Sequence, residues 1–222
     1  MDVNARSKGI IDTLNDYSFH ILGCGAIGSS AATQLARMGA EDFFLYDMDK
    51  VEEINIGVSQ YNQFDVGKQK VEALKEKIKN INSFSNVEAI NGLFEELMYA
   101  DNNDIIIIGF DSMKSRLEAA EICLKNKTFN PLLLIDGRMG AEHYQQYTFN
   151  KPNYNQYIKT WYADEDGSAE PCNMKATSYC SNMSGSFIAN TIRKVLTKQP
   201  YEVALSFNFP TMTIEKKTCY KS

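Results

Sequence analysis

The stretch Tyr17-Ser18-Phe19-His20-Ile21-Leu22-Gly23-Cys24-Gly25-Ala26-Ile27-Gly28 decides the fold. Its first six residues make a short apolar run, the pattern of a buried strand. The run ends in GxGxxG. Beyond it Ile27, Ala31, Leu35 and Met38 recur at spacings of four, four and three, which predicts a helix that Gly39 stops. Strand, glycine turn and helix form the context that gives this motif meaning. The glycines permit a tight turn and let backbone N–H groups meet phosphate at the helix N-terminus. Gly23, Gly25, Ala26, Ile27 and Gly28 are therefore the candidate cofactor-binding turn. The alternative is a turn that only packs helix on strand.

Phe43–Tyr46 predicts a second strand, closed by Asp47, which lies 19 residues after Gly28. A carboxylate at that place can bond ribose hydroxyls. Turn and acid together imply an adenine nucleotide at the sheet's C-terminal edge. They do not choose among NAD, FAD and ATP.

Working outward, Val71, Leu74, Ile78 and Ile81 mark a second amphipathic helix, with lysines and glutamates between them. Residues 104–110 are apolar enough for a central strand buried on both faces. A helix from Lys114 to Lys125 and a strand over Leu132–Ile135 complete an alternating pattern, that of a parallel sheet covered by helices. Beyond Asp136 the pattern changes. Tyr144–Phe149 and Val203–Phe209 read as antiparallel strands, Thr211–Lys217 as an edge strand, and Ile188, Ile192 and Val195 as a further helix. The expected fold is an α/β, doubly wound, Rossmann-like and mostly parallel sheet, with antiparallel strands added at its C-terminal end. It is read as a single domain over 1–222, with an arm (1–16), a Rossmann-like half (17–136) and a C-terminal half (137–222).

Composition narrows the classes. Lys and Arg number 23 against 28 Asp and Glu, a net charge of −5, so no basic stripe speaks for nucleic acid. The longest apolar runs are four residues, where a bilayer span needs about 20, and no leader opens the chain. Five cysteines without a CxxC pair indicate neither a disulfide framework nor a four-cysteine zinc site, and a reduced cytoplasmic protein is expected.

Three further segments carry a resemblance. Asp47-Met48-Asp49-Lys50-Val51-Glu52-Glu53-Ile54-Asn55 resembles the D-x-D-x-V-x-x-x-N segment of the ThiF/MoeB/ubiquitin-activating superfamily. Val66-Gly67-Lys68-Gln69-Lys70-Val71-Glu72-Ala73 is similar to its G-K-x-K-x-E-A segment, and Gly109-Phe110-Asp111-Ser112 to its T-D-N element, with Arg116 following. The likeness spans about residues 17–200. It implies an adenylyltransferase that binds ATP and Mg²⁺ and activates the C-terminal carboxylate of a small ubiquitin-like or sulfur-carrier protein or peptide, supplied as a separate chain. It also implies a homodimer.

Under that resemblance the site residues take roles. Lys70, at a helix start, meets a phosphate, and Asp111, at a strand's C-terminal end, holds Mg²⁺. Asn55 donates to a phosphate, and Asp47 with Asp49 holds the ribose. Each has a bland alternative: Lys70 a solvated lysine, Asp111 a helix N-cap, Asn55 a turn residue. One position departs from the pattern. The family's arginine after the Asn55 position is Val58 here, or Ser59 with a register slip. Arg6, on the arm, and Arg138, in a segment read as ending a strand on the nucleotide side, are candidate substitutes for substrate or phosphate. Arg6 otherwise reads as a solvated tail residue, and Arg138 as pairing with Asp136 or Glu142.

In the family a cysteine about 22 residues before the end of the last long helix can accept the activated carboxylate or a sulfur. Cys172 lies 22 residues before Lys194. Acids nearby (Asp164, Glu165, Asp166) would raise its thiol pKa, so a structural cysteine is the competing reading. Cys24, Cys123, Cys180, His20 and His143 read as filler. Two other functions stay open: a degenerate ThiF-like subunit supporting a partner, favoured by Val58, and an NAD(P)-dependent oxidoreductase, which needs neither Lys70 nor Asp111.

Overall fold

The computed structural model describes residues 3, 5, 6, 9–11, 14–125, 129–164 and 176–219. Eight strands form one sheet in the order β3-β2-β1-β4-β5-β6-β7-β8. They are β1 (Ser18–Leu22), β2 (Asp42–Tyr46), β3 (Asn86–Ile90), β4 (Ile105–Ile108), β5 (Leu133–Gly140), β6 (His143–Asn150), β7 (Tyr201–Asn208) and β8 (Thr213–Cys219). β3 through β5 in that order pair in parallel, and β5 through β8 pair antiparallel. The expected α/β architecture is the observed one. The order turns back between β1 and β4, the switch point where open α/β sheets bind ligands beyond their strand ends.

Two apolar layers sandwich the parallel half. On one face α1 (Ala26–Arg37), α3 (Lys70–Ile81) and α6 (Ser178–Leu196) bury Leu35, Leu74 and Ile192 against Phe19, Ile21, Ile105 and Ile107. On the other, α4 (Met113–Lys125) and the short α5 (Tyr154–Tyr157) bury Cys123 and Tyr157 against Leu22, Ile106 and Ile108. β4 is four isoleucines in a row because both its faces are inside, and all four are fully buried. Each contributes about 1.5–3 kcal/mol of burial. A second short helix, α2 (Glu53–Ile56), lies between β2 and α3.

α1 and α6 approach closely at Gly185. A Cβ there would lie 2.3 Å from Ser30 Oγ, so only glycine lets the two backbones meet.

The structure corrects several sequence boundaries. β3 was not expected: in Asn-Val-Glu-Ala-Ile only Val87 is buried, too weak an alternation to read from sequence. β5 does not end at Ile135 but runs on to Gly140, pairing Asp136 with Tyr147 and Arg138 with Gln145. Arg138 therefore lies inside a strand and not at its end. The edge strand is Thr213–Cys219, two residues later than expected. Among the described residues no helix is long and apolar enough to cross a membrane.

Candidate active site

The glycine turn is built by three glycines with different duties. Gly23 has φ +92°, and a Cβ on it would lie 2.9 Å from the carbonyl carbon of Gly109. Gly28 is needed for close approach, since its Cβ would sit 1.9 Å from the Gly23 carbonyl oxygen. At Gly25 a Cβ would meet nothing within 4 Å, because that side of the turn opens into a pocket. Two glycines thus lock the turn onto β4 and α1, and the middle one leaves its backbone bare. α1 begins immediately after it, with no side-chain cap and no acid in its first turn. Its leading N–H groups and positive dipole end therefore stay available to an anion.

Asp47 ties the turn to β2. One carboxylate oxygen accepts the Cys24 N–H at 2.8 Å and the other accepts the Asp49 N–H at 2.8 Å. Burial raises the Asp47 pKa, opposed by the charge of Lys70 and by these two amides. Cys24 is wholly buried and burial pushes its thiol well up, so it is held as an inert SH group.

Lys70 opens α3 and reaches back to Asp49, Nζ to Oδ2 at 2.8 Å. The reach is set by a short antiparallel pairing in which the Lys70 N–H donates to the Asp49 carbonyl and the Val51 N–H to the Lys68 carbonyl. Burial works against the charge on Lys70. Its hydrogen bond to Asp49 and the field of Asp47 outweigh that and hold its ammonium above the usual lysine value.

Asp111 follows β4 and is exposed. Among the described residues its carboxylate makes no hydrogen bond or ion pair. It does not cap α4, where Ser112 Oγ instead accepts the Ser115 N–H at 3.1 Å. Such a carboxylate is free to carry a cation. Among the described residues no three His, Cys, Asp or Glu side chains cluster to hold a metal by themselves. Mg²⁺ does not require that, since it is commonly held by one or two carboxylates plus phosphates and water.

Gly23, Gly25, Asp47, Asp49, Lys70 and Asp111 line one pocket. Sequence reading had missed the rest of its wall, chiefly Leu93, Phe94, Phe110 and Ala119. Leu93 and Phe94 lie in a loop that carries no motif, and only the position of β3 places it. Ala26, Ile27 and Gly28 lie behind the wall, in the first turn of α1.

The remaining candidates lie elsewhere. Asn55 is not in the pocket wall. It completes a capping box of α2, its Oδ1 accepting the Glu52 N–H at 2.9 Å, so the turn-residue reading describes its present contacts. Arg6 is exposed and outside the wall. Val58 is half-buried, its N–H donating to the Asn55 carbonyl. Cys172 lies outside the described residues.

Arg138 is buried in a network that sequence reading only half anticipated. Its Nε and Nη2 donate to Asp136 Oδ2 at 2.9 and 2.7 Å, and its Nη1 donates to the Thr160 carbonyl at 2.7 Å. The other oxygen of Asp136 accepts from Arg116, which also donates to the Gly137 carbonyl at 2.7 Å, and Tyr157 Oη donates to Asp136 at 3.1 Å. Its Nε, Nη1 and Nη2 are all engaged, and the network joins α4, β5 and α5. Its pairing with Asp136, and not contact with a substrate, is what the geometry displays.

A sheet that reverses at a glycine turn, with an acid, a lysine and an exposed aspartate around one pocket, defines a nucleotide-binding Rossmann-like protein. The ThiF family model matches residues 3–221, and the chain belongs to the ThiF family. Among similar curated proteins, the tRNA threonylcarbamoyladenosine dehydratase of Bacillus subtilis (strain 168) is 30% identical over 126 residues, 54% of this chain and 50% of that protein. The probable molybdopterin-synthase adenylyltransferase of Gracilaria tenuistipitata var. liui is 34% identical over 106 residues, 46% of this chain and 30% of that one. The chain spans half or less of the length of such relatives. Among solved structures, E. coli MccB with ATP superposes with a TM-score of 0.69 at 17% identity, covering 96% of this chain and 67% of that one. E. coli MccB with AMPCPP and MccA gives 0.65 at 19%, covering 92% and 64%. At these identities the likeness is one of fold.

Proposed function

We propose that this chain is an ATP-dependent adenylyltransferase that activates the terminal carboxylate of a separate ubiquitin-like or sulfur-carrier protein or peptide. The observation that carries this reading is the convergence of Lys70 and Asp111 on the pocket that holds Gly25 and Asp47. A nicotinamide site needs the last two and has no use for the first two. The relatives support the same chemistry: a probable molybdopterin-synthase adenylyltransferase, and MccB structures holding ATP or MccA.

Each residue then has a task. The bare backbone at Gly25 and the N-terminus of α1 receive phosphate. Asp47 and Asp49 accept ribose hydroxyls, and Lys70 exchanges part of its bond to Asp49 for a phosphate oxygen. Asp111 holds Mg²⁺, which would shield charge on the triphosphate as pyrophosphate departs. Attack of a carboxylate on the α-phosphate builds negative charge between nucleophile and leaving group, and fixed positive charge beside it lowers the barrier. Asn55 keeps its Nδ2 for donation to a phosphate, and Arg6 of the N-terminal arm is the candidate for the charge absent at Val58. Cys172 is the candidate acceptor of the activated acyl group. A homodimer, working in the cytoplasm, is the expected assembly.

Val58 favours one second reading, a nucleotide-binding subunit that supports an active partner. ATP–pyrophosphate exchange separates the two. The enzyme reading expects labelled pyrophosphate to enter ATP in the presence of a carrier, and expects Asp111→Asn to abolish it. MgATP binding without exchange, across candidate carriers, selects the subunit. Tight NADH binding without ATP binding would sink both. A mass increase on Cys172 after turnover, lost in Cys172→Ala, tests the thiol step separately.

A further inference from the structure

His20 is fully buried in β1, where its strand neighbours Phe19, Ile21 and Leu22 are all apolar. A polar ring in such a place costs stability unless something holds it, and the mechanism above does not use it. Its ring stacks on Phe44, with centroids 4.7 Å apart. Its Nδ1 is 3.1 Å from the hydroxyl of Tyr46. Its Nε2 lies 3.2 Å from Asp104 Oδ2 without hydrogen-bond alignment, and Asp104 too is fully buried.

Tyr46 carries this arrangement to the pocket. Its hydroxyl accepts the backbone N–H of Met98 at 2.9 Å, and its ring meets Phe94 edge-on at 5.1 Å. Both contacts fall in the segment 92–99, whose Gly92, Leu93 and Phe94 wall the pocket on its apolar side. With phosphate at Gly25 and ribose at Asp47, that wall faces the base. The segment has no helix or strand of its own to fix it. Tyr46 supplies its grip, and a phenol whose only neighbours were apolar would have no reason to keep its hydroxyl on Met98.

We propose that His20 is a positioning residue for nucleotide binding: through the Tyr46 hydroxyl it latches the Met98 amide and so sets the base-side wall. Asp104 faces the imidazole from the other side, its Oδ2 3.2 Å from Nε2. The inference rests on the nucleotide assignment of the pocket but is tested partly apart from it.

The experiment uses the whole chain and three variants, Tyr46→Phe, His20→Leu and His20→Asn. Each is read by calorimetry with MgATP, by amide hydrogen exchange at Met98 and by thermal midpoint. Tyr46→Phe deletes one oxygen and leaves the ring that packs on Phe94. It and His20→Leu are expected to speed Met98 exchange and to weaken MgATP about fivefold, the size of one neutral hydrogen bond. His20→Asn keeps a polar group facing the tyrosine and is expected to restore most of both. A folded Tyr46→Phe with unchanged MgATP affinity overturns the proposal. So does a His20→Asn no better than His20→Leu at equal midpoint. If the unmodified chain binds no MgATP, the function proposed above fails; unchanged Met98 exchange would then overturn the latch on its own, and faster exchange would uphold it.

Discussion

Substituting the three glycines of the turn separates folding from binding. At Gly28 an added Cβ would stand 1.9 Å from the Gly23 oxygen and 3.0 Å from Ile21 Cγ2. The first atom is backbone and cannot rotate away. Alanine is otherwise better than glycine inside a helix by about 1 kcal/mol, so any loss measured at Gly28→Ala is pure overlap. Overpacking of this severity costs about 3 kcal/mol or more. At Gly25 the same added carbon meets nothing, and φ there is −74°. The ψ of −147° lies outside the usual β region, so Gly25→Val should cost about 1–3 kcal/mol of backbone strain with no steric overlap added. Its branched side chain stands where phosphate must approach the bare backbone. Losing one or two charge-assisted N–H bonds costs about 1.5–3 kcal/mol, or roughly 10- to 150-fold in affinity. Denaturant titration and calorimetry with MgATP read the two quantities on the same samples. A Gly25→Val protein that is stable and binds MgATP as before refutes the phosphate assignment. A Gly28→Ala protein of parental stability refutes the packing argument.

Other perturbations probe the surroundings. Asp111→Asn should leave thermal stability unchanged, because the carboxylate has no partner among the described residues, but should remove most of the Mg²⁺ dependence of ATP binding; retained dependence would move the metal elsewhere. Asp136→Leu leaves two buried guanidinium groups facing each other and should cost about 3–5 kcal/mol, or roughly 6–20 °C in thermal midpoint, with a loss under 1 kcal/mol disproving the network's role. The Asp65 carboxyl is lowered below its usual 3.8: burial opposes this, and the hydrogen bond to Lys77, the Asn62 amide and Lys68 outweigh it. The stability from this group is complete above 3.8 and fades as pH falls through the lowered value, so Lys77→Met should lower stability near neutrality and flatten that part of the acid-unfolding profile, with parent and variant converging at the acid end.

How much of this was legible in the sequence follows from how local each signal is. The glycine turn and β4 were readable because their constraints lie within a few residues: a carbonyl against Gly28, a four-isoleucine strand with no wet face. Asp47 was readable from its place at the end of a predicted strand, and Lys70 and Asp111 from the resemblance their segments carry; the parallel sheet brings all three to one pocket. The apolar wall was not readable. Leu93 and Phe94 reach the pocket only because β3 lies beside β2, and β3 hides its period with one buried side chain. Asp136 illustrates a different failure. Its partners Arg116, Arg138 and Tyr157 stand up to 21 residues away in sequence, on three elements whose packing no periodicity reveals. Arg138 could thus be named as a charge near the site with Asp136 or Glu142 as an alternative partner, and the structure selects Asp136.

The charge around the pocket then limits how a triphosphate can enter. Among the described residues four carboxylates line it, Asp47, Asp49, Asp111 and Glu118, against a single ammonium, Lys70, itself engaged with Asp49. A free polyanion meets net repulsion there, which low dielectric near the buried Asp47 sharpens. The helix dipole offers about half a charge, too little to reverse the balance. On the proposed function, a triphosphate already carrying its magnesium would meet less repulsion, because Asp111 would face the metal and Lys70 a phosphate oxygen. On the proposed function these acids would favour the metal complex over free ATP, and Arg116 and Arg138, held by Asp136, would not alter this. Their charge is spent on Asp136, so on the proposed function a positive group replacing the one the resemblance places near Val58 would come from outside the pocket wall.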